Sequence, residues 1–148
     1  MIKRISFDEI LPVWRDHLWV GRVSEIKPTN GLKYLGGYDR SIEEYNPSFF
    51  GVFIDDKCVG VNSGHATAEN EYRSRGLFVF PEYRKNGIAQ KLLRVISIQA
   101  KIEKKGILWS LPRLTALSTY KKFGFNIVSN WVHDLEFGPN VYVMVDIS

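Results

Sequence analysis

At 148 residues the chain is of single-domain size and long enough to bury a real core. Hydrophobic residues make up 45% and charged residues 24%, which excludes a disordered or membrane composition, while a net charge of +4 suits an anionic ligand but lacks the concentrated basic stripe of a nucleic-acid binder. The lone Cys58 excludes an internal disulfide and a cysteine zinc cluster; no apolar run approaches ~18 residues, and Asp8 and Glu9 stand where a signal peptide needs its apolar region, so a cytoplasmic protein with no membrane partner is expected.

Ile2 to Ile5 is a short candidate strand. Ser6-x-x-Glu9 forms a capping box ahead of a helix carrying Ile10, Leu11, Val13, Trp14, Leu18 and Trp19, with Gly21 as its stop. Residues 21 to 48 are rich in turn signals (Pro28, Asn30-Gly31, Gly36-Gly37, Pro47), and Ser41-x-x-Glu44 can cap a short second helix. This segment holds Tyr34, Tyr38, Tyr45 and Glu44, and reads equally as a solvated loop pinned by rings or as a wall of an acceptor site. Phe49 to Ile54 and Cys58 to His65 read as a hairpin around Asp55-Asp56, followed by a strand from Tyr72 to Phe80.

The helix from about Gly87 to Lys105 has the clearest periodicity. Ile88, Ala89, Leu92, Leu93, Val95, Ile96, Ala100 and Ile102 make its apolar face, and Gln90, Arg94, Ser97, Lys101 and Lys104 its wet one. Ile107 to Ser110 is the next strand; strand, helix, strand is a crossover unit, which sets it parallel to Leu77–Phe80. A helix over Pro112 to Phe123 and two strands, Phe125 to Val132 and Val141 to Ile147, close the chain. The fold class is α+β, a mixed and mostly antiparallel sheet with one parallel pair, flanked by helices.

Function is concentrated in Leu77 to Leu93. Pro81 stops the strand, and Arg84, Lys85, Asn86, Gly87, Ile88, Ala89 and Gln90 lead into the first turn of the helix. A helix start presents unpaired N–H groups and the positive end of the dipole. Gly87 admits an anion without a Cβ in the way, and Arg84 and Lys85 add positive charge. This reads as a phosphate cradle, against the plainer reading of a basic surface turn between strand and helix. The run Leu77-x-Val79-x-Pro81-Glu82-Tyr83-Arg84-x-x-Gly87-x-Ala89 resembles the acyl-CoA-binding motif of the GNAT acetyltransferase superfamily, and Ala116-x-x-x-Tyr120-x-x-x-Gly124-Phe125 resembles a second motif of the same family.

The resemblance implies a single GNAT-like domain that moves an acetyl group from acetyl-CoA to a primary amine by direct attack; the sequence holds no H-x-x-x-H, C-x-x-C or acidic metal cluster, so no metal is expected. Arg84 to Gln90 would hold the pyrophosphate, and Phe78 and Val79 would guide the pantetheine arm through a strand that splays from its parallel neighbour. The Val79 N–H would polarise the thioester carbonyl, and the Tyr120 hydroxyl would protonate the departing thiolate. Arg113 stands where the family often has Asn, and Arg75 where many members have a carboxylate base, leaving Glu71, His65 or water for that role. His65 also reads as a hydrogen-bonded strand residue and Cys58 as a small core residue. The acceptor is a small-molecule or protein amine, no nucleic acid is expected, and both monomer and homodimer stay open. A CoA-binding module without catalysis is the alternative.

Overall fold

The computed structural model describes all 148 residues. Its centre is a seven-stranded sheet in the order β1-β2-β3-β4-β5-β7-β6: β1 (Ile2–Ile5), β2 (Ser48–Ile54), β3 (Lys57–Ala68), β4 (Glu71–Val79), β5 (Ile107–Ser110), β6 (Asn126–Ile127) and β7 (Val143–Asp146). All neighbours are antiparallel except β4 and β5, which run parallel. The sheet is mixed and mostly antiparallel with one parallel pair, as the sequence indicates. No helix is long and apolar enough to cross a membrane.

Helix α1 (Phe7–Val13) opens with the expected capping box: Ser6 Oγ accepts from the Glu9 N–H and Glu9 accepts from the Ser6 N–H. Pro12 lies inside it, and the chain continues as a π-helical turn over Trp14–Leu18. Helix α2 (Ile88–Ile102) covers one face of the sheet, and α3 (Leu117–Phe123) lies beside it. Leu92, Leu93 and Ile96 are fully enclosed, and burying side chains of that size stabilises by about 2 kcal/mol each. They join Val59, Tyr72, Leu108 and Val143 in the larger core, while Ile5, Ile10, Trp14, Phe49 and Val61 form a smaller one on the α1 side. Covered on both faces, β3 is buried almost continuously instead of alternating.

Several expected boundaries move. The β2–β3 turn is Asp55-Asp56 with both residues at positive φ, the primed-turn geometry that matches strand twist, and β3 runs three residues past His65. The short helix after the loop is a 3₁₀ turn, Arg40–Glu44, capped by Asp39 and not by Ser41. Instead of starting at Pro112, the last helix begins as a 3₁₀ turn at Leu114–Ala116, because Arg113 is extended and bridges to Asn140. The expected strand to Val132 shrinks to Asn126–Ile127 at the sheet edge, where Ile127 and Val128 are exposed. On α2, Ser97 is buried and Ile102 is exposed at its last turn, the reverse of their expected faces.

The parallel pairing is short. Register partners are Glu71–Ile107, Tyr72–Leu108 and Arg73–Trp109; beyond Arg73, β4 has no β5 partner. Two features end the pairing. Pro112 follows soon after β5 and cannot donate to a ladder. On the other side, β4 carries one more residue than β3 between Arg75 and Phe78, a bulge built on Gly76 at φ +82°. The Trp14 Nε1–H donates to Gly76 O at 2.8 Å, and a Cβ on Gly76 would sit 2.4 Å from the Trp14 ring. Gly76→Ala is therefore expected to cost about 2 kcal/mol or more, combining overpacking with left-handed strain. Urea unfolding measures it; an unchanged midpoint would mean the bulge tolerates a side chain.

Candidate active site

Where β4 and β5 part, an open cleft of about 1190 Å³ runs from the π-helical turn after α1 across β4 to the start of α2. Of the residues singled out from sequence, Phe78, Val79, Arg84, Lys85, Gly87, Ile88, Ala89, Gln90 and Tyr120 line it. Asn86 does not; its side-chain amide donates back to Tyr83 O at 3.4 Å.

The cradle forms by local geometry. Lys85 and Gly87 both have positive φ, so the chain coils before α2 begins. The first bond into the helix is the Lys91 N–H to Gly87 O at 3.1 Å. The amides of Ile88, Ala89 and Gln90 are left without intrahelical partners, and no acidic side chain occupies that first turn. A Cβ on Gly87 would meet nothing within 4 Å, so the glycine serves its backbone conformation and keeps the mouth of the cradle open. Arg84 Nε–H donates to Val79 O at 2.8 Å and its guanidinium lies over Phe78. The arginine is aimed by two groups of the same site, although the Val79 carbonyl is thereby engaged. The Gln90 side-chain amide donates to Thr119 O at 3.0 Å, so it ties α2 to α3.

Tyr120 is buried beside the split. Burial raises its pKa, and the Ser110 hydroxyl, the Arg73 charge and the Ser74 hydroxyl partly oppose that rise. It stays a protonated donor at neutral pH. Ser110 Oγ–H donates to Ser74 O at 2.7 Å, a side chain supplying the bond where the ladder has stopped. Asn62 Nδ2–H donates to Ser74 Oγ at 2.9 Å, and Ser63 Oγ–H to Arg75 O at 2.6 Å. These serines and the asparagine carry no motif; the one sequence signal for the split is Gly76 inside a strand pattern.

Neither candidate base lies in the cleft. Glu71 and His65 are absent from its lining. His65 Nδ1–H donates to Ala66 O at 2.9 Å and the ring is fully buried; burial first, then the charges of Arg73 and Arg75, push its pKa down to about 3. Arg113, in place of the family asparagine, donates to Leu18 O and lies over Phe137. Of the loop residues, Tyr38 lines the cleft together with Arg22, Ser24, Asn30 and Leu32, whereas Tyr34 packs on Trp109 and Tyr142, and Glu44 is exposed outside it.

His65 also generates a stability expectation. Its folded pKa is depressed from 6.5, so below that value the unfolded chain takes up a proton the folded chain refuses. Above pH 6.5 the group is silent; as pH falls toward 3 it removes roughly 1.4 kcal/mol per pH unit. Denaturation midpoints followed from pH 7 to 4.5 are expected to fall more steeply for the wild type than for His65→Gln. Parallel curves would show that the ring is protonated inside the fold.

None of the curated proteins matches the chain in sequence. Solved structures share its fold at low identity. The ribosomal-protein-S18-alanine N-acetyltransferase of Escherichia coli is 14% identical, with 100% of this chain and 94% of that one covered at a TM-score of 0.68. A GNAT-family acetyltransferase of Staphylococcus aureus Mu50 is 13% identical, with coverages of 100% and 99% and a TM-score of 0.68. The PaiA N-acetyltransferase of Thermoplasma acidophilum, solved in complex with coenzyme A, is 22% identical over 72% and 65% of the two chains, with a TM-score of 0.58. The sequence model of the acetyltransferase (GNAT) domain family matches residues 46–127, a span from just before β2 to β6 that takes in the bulge, the cradle and Tyr120. The chain belongs to the GNAT acetyltransferase family.

Proposed function

We propose that the protein is an N-acetyltransferase that uses acetyl-CoA and a primary amine. One observation carries the reading. The unpaired stretch of β4, the free amides at the start of α2 and a buried protonated tyrosine open into one cleft. The coenzyme A bound to the Thermoplasma neighbour supports the choice of donor. The free amides, Arg84 and Lys85 suit the pyrophosphate, and the stretch of β4 without a β5 partner beyond Arg73 suits an amide-bearing arm. The lone Cys58 fits a cytoplasmic setting.

In this reading the amine nitrogen attacks the thioester carbonyl carbon. A C–N bond forms, the C–S bond breaks, and sulfur leaves with the bonding pair. The Tyr120 hydroxyl gives its proton to that sulfur, and the proton released by the amine restores the phenol directly or through water. The products are an amide and the free thiol. Besides Glu136, which accepts from the Val23 N–H at 2.8 Å, no carboxylate lines the cleft. The arginines there act by field instead, disfavouring the ammonium form and supplying the neutral amine. A CoA-binding module without catalysis is the second reading, favoured by Arg75 at the base position; turnover on an amine panel separates them.

Tyr120→Phe keeps the ring and removes the donor. Turnover is expected to fall roughly 10²-fold, with CoA affinity and acceptor KM nearly unchanged; wild-type turnover would reduce Tyr120 to a core residue. Gly87→Val places a branched side chain at φ +77°. It is expected to lose at least ~1 kcal/mol of CoA binding, together with some stability. Calorimetric titration of the folded variant checks this, and full affinity would remove the cradle from the donor site.

A further inference from the structure

The acceptor half of the cleft is built for negative charge. Arg22, Arg73, Arg75, Arg84, Arg113, Lys85 and Lys122 line the cavity against the single carboxylate of Glu136. Two groups of this set lie apart. Arg84 and Lys85 belong to the cradle, whereas Arg73 and Arg75 sit further back on β4, with Arg22 facing them from the loop. At about 3.3 Å per residue, Arg75 is roughly 13 Å along the strand from Val79, so a pyrophosphate in the cradle does not reach it.

Arg75 is 3% exposed. Its guanidinium is packed against the rings of Trp14 and Trp19, each 5.1 Å away, and one Nη donates to Lys27 O at 2.9 Å. The other, Nη2, is buried with no partner. Arg73 lies over Trp109 and reaches Asn30 Oδ1 at 3.3 Å, while its Nε–H is likewise unpartnered. Neither takes part in an ion pair; those present are Arg15–Asp16 and Lys27–Glu43. Burial, then neighbouring positive charge, lowers the pKa of Arg75 well below its ordinary value, and burial lowers that of Arg73 to about 10. Two adjacent guanidinium groups with idle donors are costly to enclose. An oxyanion bound beside them would offset the charge and offer the idle donors an acceptor.

Resting on the transferase reading, we infer that the acceptor is a small amine that also carries an oxyanion, held by Arg75 and Arg73 with Arg22 beside them while its nitrogen faces the thioester. A small molecule fits because these cations lie beneath the 22–32 segment. Asn140, 8% exposed, lines the same cavity, and its side-chain oxygen has no donor and can accept from an N–H of such a molecule.

The test compares acetyl transfer to glycine, β-alanine and 2-aminoethylphosphonate with transfer to glycinamide and ethylamine. At least one acid should exceed its neutral counterparts in kcat/KM by at least ~10-fold, and the carboxylate and phosphonate arms tell which oxyanion is taken. Arg75→Met should abolish that preference, leave CoA affinity in place and leave Tm unchanged or raised, since a buried unpaired cation has been removed. Arg22→Met, at a half-buried position, is the second variant if Arg75→Met does not fold, and should also weaken the preference. Equal use of acids and neutral amines, a preference kept in both variants, or better use of an acidic peptide than of any amino acid overturns the inference. If CoA binds and no amine is acetylated, the transferase reading fails. The inference is then decided by binding of N-acetylglycine against its amide to the CoA-saturated protein, where equal affinity sinks it.

Discussion

Gly76 holds β4 in a backbone conformation that any side chain would strain, with the Trp14 indole closed over it. That contact joins three parts of the molecule. It fixes the π-helical turn after α1 against the sheet, makes the bulge that offsets β4 by one residue, and leaves β4 beyond Arg73 without its parallel neighbour. A sheet so split exposes backbone polar groups in its middle, which is costly unless something pairs with them. Side chains do part of this: Ser110 on Ser74 O and Arg84 on Val79 O. These bonds satisfy part of the split backbone without a ligand, so the cleft is formed in advance.

The positive charge of the cleft follows from the same division. On an alternating strand with one wet face, Arg73 and Arg75 would share the solvent side at i and i+2. Here that face is roofed by residues 22–32, whose Lys27 O and Asn30 Oδ1 accept from the two arginines. The roof is pinned by the charges it covers. Trp14, Trp19 and Trp109 supply π faces for the guanidinium groups, recovering on the order of 1–2 kcal/mol each when desolvated, which does not offset the full cost of enclosing two like charges.

What the sequence made legible was whatever is fixed locally. Ser6 and Glu9 cap α1, the 3.6-residue repeat of Ile88 to Ala100 defines α2, and Ile107 to Ser110 is an apolar run bounded by Gly106 and Leu111-Pro112. The cradle was readable for the same reason, since a strand, a proline, a glycine and a helix follow one another in the chain. Asp39 instead of Ser41 as cap, and the late start of α3, depend on contacts with distant residues such as Asn140. The arginine-lined half of the cleft was opaque because it is assembled from the loop, β4 and residues 136–140. Nothing in Arg73 or Arg75 alone distinguishes a buried cation from a solvated one; the covering loop decides it.

A chain selected for stability alone would have little reason to keep both arginines. An apolar residue of similar volume at position 75 would fill the space between two tryptophans without a charge to desolvate. Enclosed under the roof, the two arginines carry a desolvation cost that, in the proposed reading, a matching anion would relieve, which is how binding sites commonly depart from the stability optimum. The same charges would oppose the ammonium form of an amine bound in the cleft. An acceptor whose oxyanion neutralises one guanidinium still leaves net positive charge around its amine, so recognition of the acid and release of the nucleophile's proton need not compete. In the proposed reading, Arg75 then occupies a position where a carboxylate base would otherwise stand, and the field of the wall would do what a single proton acceptor does elsewhere.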